Sequence, residues 1–150
     1  MKSIYLIGSM KNPQVPLVAN RIEKEIGIEA FCDWASPGPD ADEYWRDYEK
    51  LRGRTFKEAF NGYHARNVFD FDKKHLDRTD GVLMVMPGGK SAHLELGYVV
   101  GCGKPAFILF DKEPERFDVM LRFATDIFMS EDEMIHGLQQ FRYREEVDNA

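Results

Sequence analysis

One carboxylate, Glu95, sits in the stretch GGKSAHLELGYVVGCGKP, residues 88 to 105, which is otherwise dominated by small, apolar and glycine residues. A helix that packs on a sheet gains nothing from a charge among Leu94, Leu96 and Val99, so the acid invites a chemical role. Nucleophilic attack on an electrophilic carbon is such a role, and it needs an ionised, positioned carboxylate. A place in the first turn of the helix after loop 87 to 92 would keep Glu95 ionised through the helix dipole, by up to about 1 kcal/mol at an exposed site. The blander reading is an acid that only complements that dipole, because acids are common in first turns. Two other residues shift the balance: Tyr5 near the end of the first strand, and Asp72, eight residues before the Asp80 that opens the third. Asp72 also has a plain reading, a surface acid beside Lys73 and Lys74. Asp70 competes with it, and residues two apart on a helix do not share a face.

These side chains need elements to carry them, and the chain alternates. KSIYLI, at 2 to 7, is a short β-rich run ending at Gly8-Ser9. From 13 to 26, Val15, Val18, Ala19, Ile22 and Ile26 recur at helical spacing. IEAFC, 28 to 32, reads as a second strand, and DWASPGPDAD after it is too turn-rich for either element. Residues 41 to 75 are charged, aromatic and mostly helical, with breaks near Gly53 and Gly62. DGVLMVM, 80 to 86, is a fully buried strand; residues 92 to 102 make a short helix in which Gly97 and Gly101 would allow close approach to the sheet. PAFILF is a fourth strand, 113 to 123 a helix, DIFMS a fifth strand and 131 to 141 an amphipathic helix, with a tail from 142 to 150 that frays. Such alternation implies βαβ units and a parallel sheet covered on both faces.

In such sheets ligands bind beyond the carboxyl ends of the strands. That rule selects loops 8 to 12, 32 to 42 and 87 to 92. The first, Gly8, Ser9, Met10, Lys11 and Asn12, leads into a helix whose free N–H groups form an anion site, to which Lys11 adds a charge. Gly89, Lys90 and Ser91 make a second one, with His93 close to the pocket. The alternative is two ordinary glycine turns with solvated lysines; neither has Walker spacing. Trp34, in a loop beyond a strand end, is positioned to stack on a planar base, whereas Tyr44, Trp45 and Tyr48 fit a buried helix face or a dimer interface.

Composition narrows the rest. A chain of 150 residues is one domain by length, read as 1 to 150 with a helical, aromatic-rich insertion at 33 to 67. A formal charge of -6 disfavours a nucleic-acid partner, and no apolar run is long enough for a bilayer. The start reads as a first strand, not a signal peptide. Cys32 and Cys102 suggest no disulfide framework, which points to the cytoplasm. The four histidines are scattered, with no metal-ligand spacing, so no metal or cofactor is expected.

Four segments resemble the nucleoside 2-deoxyribosyltransferase family, closest in pattern to its branch of 2'-deoxynucleoside 5'-monophosphate N-hydrolases and CMP N-glycosidases. IYLIGSMKN is similar to the opening strand and glycine-serine loop, FDFDKKHLDRTDGVLMV to the helix and third strand, HLELGYVVGCGKP to the Glu-Leu-Gly helix, and KPAFILF to the strand after it. The resemblance implies a flavodoxin-like (Rossmann-like) three-layer α/β sandwich with a mainly parallel sheet of about five strands. It implies Glu95 as nucleophile, Asp72 as the catalytic aspartate and Tyr5 as the active-site tyrosine, acting on a small nucleoside or nucleotide in a homodimer or larger homo-oligomer. The implied reaction is retaining cleavage at C1' of a nucleoside 5'-monophosphate; the loops 8 to 12 and 89 to 91 favour the phosphate. Base exchange on free deoxynucleosides is one alternative, and non-catalytic sensing of a nucleotide or a NAD-derived signal is another. The segment from 33 to 67 is longer and more aromatic than the family pattern, which leaves the substrate open.

Overall fold

The computed structural model describes residues 1 to 150. Five strands, β1 (Ser3–Ile7), β2 (Glu29–Phe31), β3 (Gly81–Val85), β4 (Ala106–Leu109) and β5 (Asp126–Phe128), form one sheet in the order β2-β1-β3-β4-β5. Every pairing is parallel. This is the flavodoxin-like order, and its switch point lies between β1 and β3. The helices are α1 (Gln14–Ile26), α2 (Ala41–Leu51), α3 (Phe56–Phe60), α4 (Tyr63–Arg78), α5 (Lys90–Gly101) and α6 (Glu131–Asp148). None is long and apolar enough to cross a membrane.

The central strands β1, β3 and β4 are buried on both faces, and their two-residue period sorts side chains between two core layers. Ile4 and Leu6 join Val15, Val18 and Ile22 of α1 and Met134 and Leu138 of α6 in one layer. Tyr5 and Ile7 join Leu76 of α4 and Ala92, Leu96 and Val99 of α5 in the other. That sorting points Tyr5 at the side of the sheet where α4 and α5 lie. Two polar ties hold this side together at its ends. The Asp80 carboxylate accepts from the Lys2 and Ser3 amides at 2.6 and 3.0 Å, pinning the start of β1 to β3. Lys104 donates to the carbonyls of Leu76, Asp77 and Thr79 at 3.1, 2.5 and 2.8 Å, capping the C-terminus of α4.

Four expectations change. Residues 113 to 123 form no α-helix; only a 3₁₀ segment, Val119–Phe123, appears, opened by the Asp118 carboxylate on the Met120 amide at 3.0 Å. Phe117, Val119, Met120 and Phe123 are exposed, and Leu121 is the apolar residue of this run that packs against the core. The tail does not fray: α6 continues to Asp148, held by Arg142, which pairs with Glu146 at 3.1 Å and donates to the Ile26 carbonyl at 2.7 Å. The helix expected at 92 begins at Lys90. Gly97 and Gly101 are exposed, and a Cβ at either would meet nothing within 4 Å, so neither allows a close approach.

Gly137 is the helical glycine that space does require. A Cβ there would lie 2.3 Å from Phe128 Cε1, and Phe128 is a buried core residue stacked on Phe107. Gly137→Ala is therefore expected to lose about 1–3 kcal/mol to overpacking, whereas Gly97→Ala gains up to about 1 kcal/mol of helix propensity. Urea unfolding of the two variants beside the parent chain checks the opposite signs; stabilisation by Gly137→Ala would mean that Phe128 moves aside freely.

Candidate active site

Tyr5 is the third residue of β1 and is 1% exposed. Asp72 comes from α4 and Glu95 from α5, both on the Tyr5 side of the sheet and both half-buried. The three side chains sense one another. Burial first, then the charge of Asp72, pushes the Glu95 carboxyl up to about 7, while a hydrogen bond from Tyr5 opposes the rise. Burial lifts Asp72 to about 6. The Tyr5 phenol is held far above its ordinary value by burial first and then by the charges of Glu95 and Asp72, so it stays a proton donor at any working pH. Asp72 Oδ1 is buried with no hydrogen-bond partner, an acceptor that a ligand can satisfy.

Glu95 is the sixth residue of α5, beyond the first turn. The dipole effect that would keep it ionised fades within that turn, so the expectation from the sequence reverses. Burial wins, and Glu95 is a weak acid poised near neutrality.

The loop residues divide. Asn12 Nδ2 reaches the Met86 carbonyl at 3.5 Å, joining the loop after β1 to the loop after β3 at the switch point. Trp34 lies in a 3₁₀ turn, Asp33–Ala35, and its Nε1 donates to the Leu6 carbonyl at 2.7 Å. The ring packs against both core layers and approaches the Cβ position of Gly8 to 3.9 Å. Its N–H is thus committed to the fold, and only a ring face is left for a ligand. Gly8 has no room for a side chain, since a Cβ would meet Val15 Cγ2 at 2.8 Å. Lys11 is not free: it pairs with Glu43 at 2.9 Å and Asp40 at 3.5 Å, and donates to the Pro39 carbonyl at 3.3 Å. Glu43 holds the ammonium charged, and Lys11 in turn depresses the Glu43 carboxyl.

At the start of α5, Gly88, Gly89, Lys90, His93 and Leu94 line a shallow hollow. Lys90 and Ser91 are exposed, and Lys90 makes no ion pair. His93 Nδ1 sits 2.7 Å from the Gly89 carbonyl, folding the ring back over the helix start. Met10 is half-buried beside Lys11 in the loop after β1. Glu43 and Asp40 are the residues that reading the sequence missed. Acids at the start of a charged helix are unremarkable in a sequence, and their partner lies in a loop far along the chain.

No protein-family model matches the chain, and no curated protein matches it. Solved structures do. The fold is similar to that of a 2-deoxyribosyltransferase from the psychrotolerant bacterium Bacillus psychrosaccharolyticus, with 18% identity, a TM-score of 0.59, and coverage of 89% of this chain and 90% of that one. It is also similar to a CMP N-glycosidase from Clostridium botulinum, with 16% identity, a TM-score of 0.52, and coverage of 91% and 98%. At such identities the likeness establishes the architecture, which is the one the sequence resemblance implied.

The raised carboxyls have a consequence for stability. Glu95 and Asp72 move from ordinary values of 4.5 and 3.8 to about 7 and 6. Between roughly pH 4 and 7 the folded chain therefore binds more protons than the unfolded one, and stability falls as pH rises through that window. Glu95→Gln removes the penalty. It is expected to raise stability at pH 8 by on the order of 1–3 kcal/mol and to change it little at pH 4. Denaturant midpoints at the two pH values check this; equal shifts at both would place the carboxyl in bulk-like water.

Proposed function

We propose that the chain cleaves the N-glycosidic bond of a nucleoside 5'-monophosphate, with Glu95 attacking C1' and retaining configuration. The observation that carries this reading is the convergence of Tyr5, Asp72 and Glu95 on one side of the sheet, two carboxyls and a phenol coupled in a half-buried space. The base leaves through an oxocarbenium-like transition state, a glycosyl ester forms on Glu95, and water resolves it. Tyr5 donates to the Glu95 carboxylate, fixing its direction of attack, and protonated Asp72 hands its proton to the departing base.

Without ligand, burial raises both carboxyls toward neutrality, so neither is committed to the ionised form. A hydrogen bond from protonated Asp72 to a ring nitrogen of the base keeps the proton on that acid. In this reading the substrate itself sets the proton on Asp72 and frees Glu95 to attack.

The phosphate is assigned to the start of α5, where the free amides of residues 90 to 92 and the unpaired Lys90 meet. Lys11 is a poorer candidate, since two carboxylates already neutralise it. That pairing favours a second reading, in which the substrate is an uncharged nucleoside and an acceptor base takes the place of water. Exposed aromatic residues on α4, among them Tyr63 at 85% and Phe69 at 64%, support self-association into a homo-oligomer.

Incubation with nucleosides and their 5'-monophosphates, watched for free base with and without an added acceptor base, tests the reaction. Glu95→Gln is expected to abolish turnover while still binding substrate, and Asp72→Asn to lose about 10²–10⁴-fold. Full activity in the Gln variant would end this reading. Lys90→Ala should weaken monophosphate binding by about tenfold or more and spare nucleosides, with a smaller loss in Lys11→Ala. Equal losses for both ligand classes would favour the uncharged substrate.

A further inference from the structure

Asp72 and Glu95 sit on different helices, α4 and α5, and the charge of Asp72 is felt at Glu95. Their separation is therefore set by how these two helices lie against one another. Leu76 of α4 and Leu96 and Val99 of α5 are buried in one core layer. Apolar burial is non-directional, so it presses both helices onto the sheet without fixing their register along one another. A hydrogen bond has the direction that burial lacks.

One such bond is present. The Tyr98 hydroxyl donates to Asp77 Oδ1 at 2.5 Å, the only side-chain hydrogen bond that joins α4 to α5. Asp77 Oδ2 accepts from Lys73 at 2.6 Å, and the same ammonium lies 5.4 Å from the centre of the Tyr98 ring. Lys73 and then Tyr98 depress the Asp77 carboxyl below its ordinary range, and an ionised acceptor makes the shorter, stronger bond. The three side chains close a triangle whose corners stand beside the reacting groups. Lys73 follows Asp72 directly, and Tyr98 comes one turn after Glu95. The chain beyond α5 adds a second tie, because Lys104 donates to the carbonyl of the same Asp77 at 2.5 Å.

We propose that Tyr98 is a positioning residue, whose hydroxyl locks α5 to Asp77 of α4 and so sets the spacing of Glu95 and Asp72. Its consequence for catalysis rests on the reaction proposed above, but the spacing exists whether or not the chain turns over a nucleotide.

Tyr98→Phe keeps the ring and removes only the hydroxyl, while Lys104 still ties the end of α4, so the fold survives. Asp77 raises the Tyr98 phenol above its ordinary value, so the hydroxyl is neutral near pH 7 and its loss changes no charge. Movement of the Glu95 titration then reports geometry. Carbon-13 NMR of the side-chain carboxyls gives the reading. In Tyr98→Phe the Glu95 carboxyl, at about 7 in the parent chain, is expected to titrate about half a pH unit or more lower, as Asp72 recedes and water gains access. Tyr98→Phe/Asp77→Ala should shift it no further than Asp77→Ala alone, since both substitutions break one bond. Tyr143→Phe, at an exposed tyrosine, should leave it in place. An unmoved Glu95 in Tyr98→Phe, or additive shifts in the double variant, overturns the assignment. With a nucleoside 5'-monophosphate that the parent chain cleaves, Tyr98→Phe should lower kcat by about tenfold or more and change KM little, because misplacement of about 1 Å is felt at the reacting carbon. A change in KM alone would make Tyr98 a binding residue and also overturn it. If the parent chain cleaves none, the proposed reaction falls, and the titration still decides the role of Tyr98.

Discussion

Withdrawal of two carboxyls from water beside one phenol is the constraint on which the site depends. Burial raises Glu95 and Asp72 toward neutrality, which destabilises the folded chain whenever both are ionised. The surrounding structure must therefore hold them in place against repulsion. It does so with a parallel sheet buried on both faces, an Asp80 clasp on the start of β1, and a Lys104 cap on α4. Each of these fixes an element that carries one of the three groups or borders it. A looser frame would let water in and return both acids to ordinary values.

Much of this frame was legible in the chain. Short β-branched runs separated by helical periodicity produce the five parallel strands, and the breaks near Gly53 and Gly62 fall where α2 ends and α4 begins. Alternation along KSIYLI is enough to send Tyr5 to the face opposite Ile4 and Leu6. What escaped were features decided by contacts distant in sequence. The last helix runs on through a polar tail because Arg142 finds the carbonyl of Ile26, a partner no local pattern reveals. The segment from 113 to 123 has apolar residues at workable spacing, yet of them only Leu121 reaches the core while Phe117, Val119, Met120 and Phe123 stay exposed, so helical periodicity there is not backed by burial.

The site shows the same division. The types and approximate places of Tyr5, Asp72 and Glu95 could be read from the sequence, but their protonation could not. A helix start two residues earlier moves Glu95 out of reach of the dipole, and burial then reverses the expected sign of its shift. Lys11 makes a parallel case. As a residue in a glycine-serine loop it reads as a free cation, whereas in the fold it is the tether that holds the start of α2 over the loop after β1. Segment 33 to 67 is thus fastened to the mouth of the site by charge.

The sheet ends at β5, only three residues long, and the amide of Ile127 is occupied by the carboxylate of its own neighbour, Asp126. An open strand edge is a template onto which another chain can add. Here the template is short, carries an acid, and has one of its donors already engaged. This edge is thereby a poor template for strand addition, and a newly made chain with this much uncovered aromatic surface is less prone to join a neighbour through it.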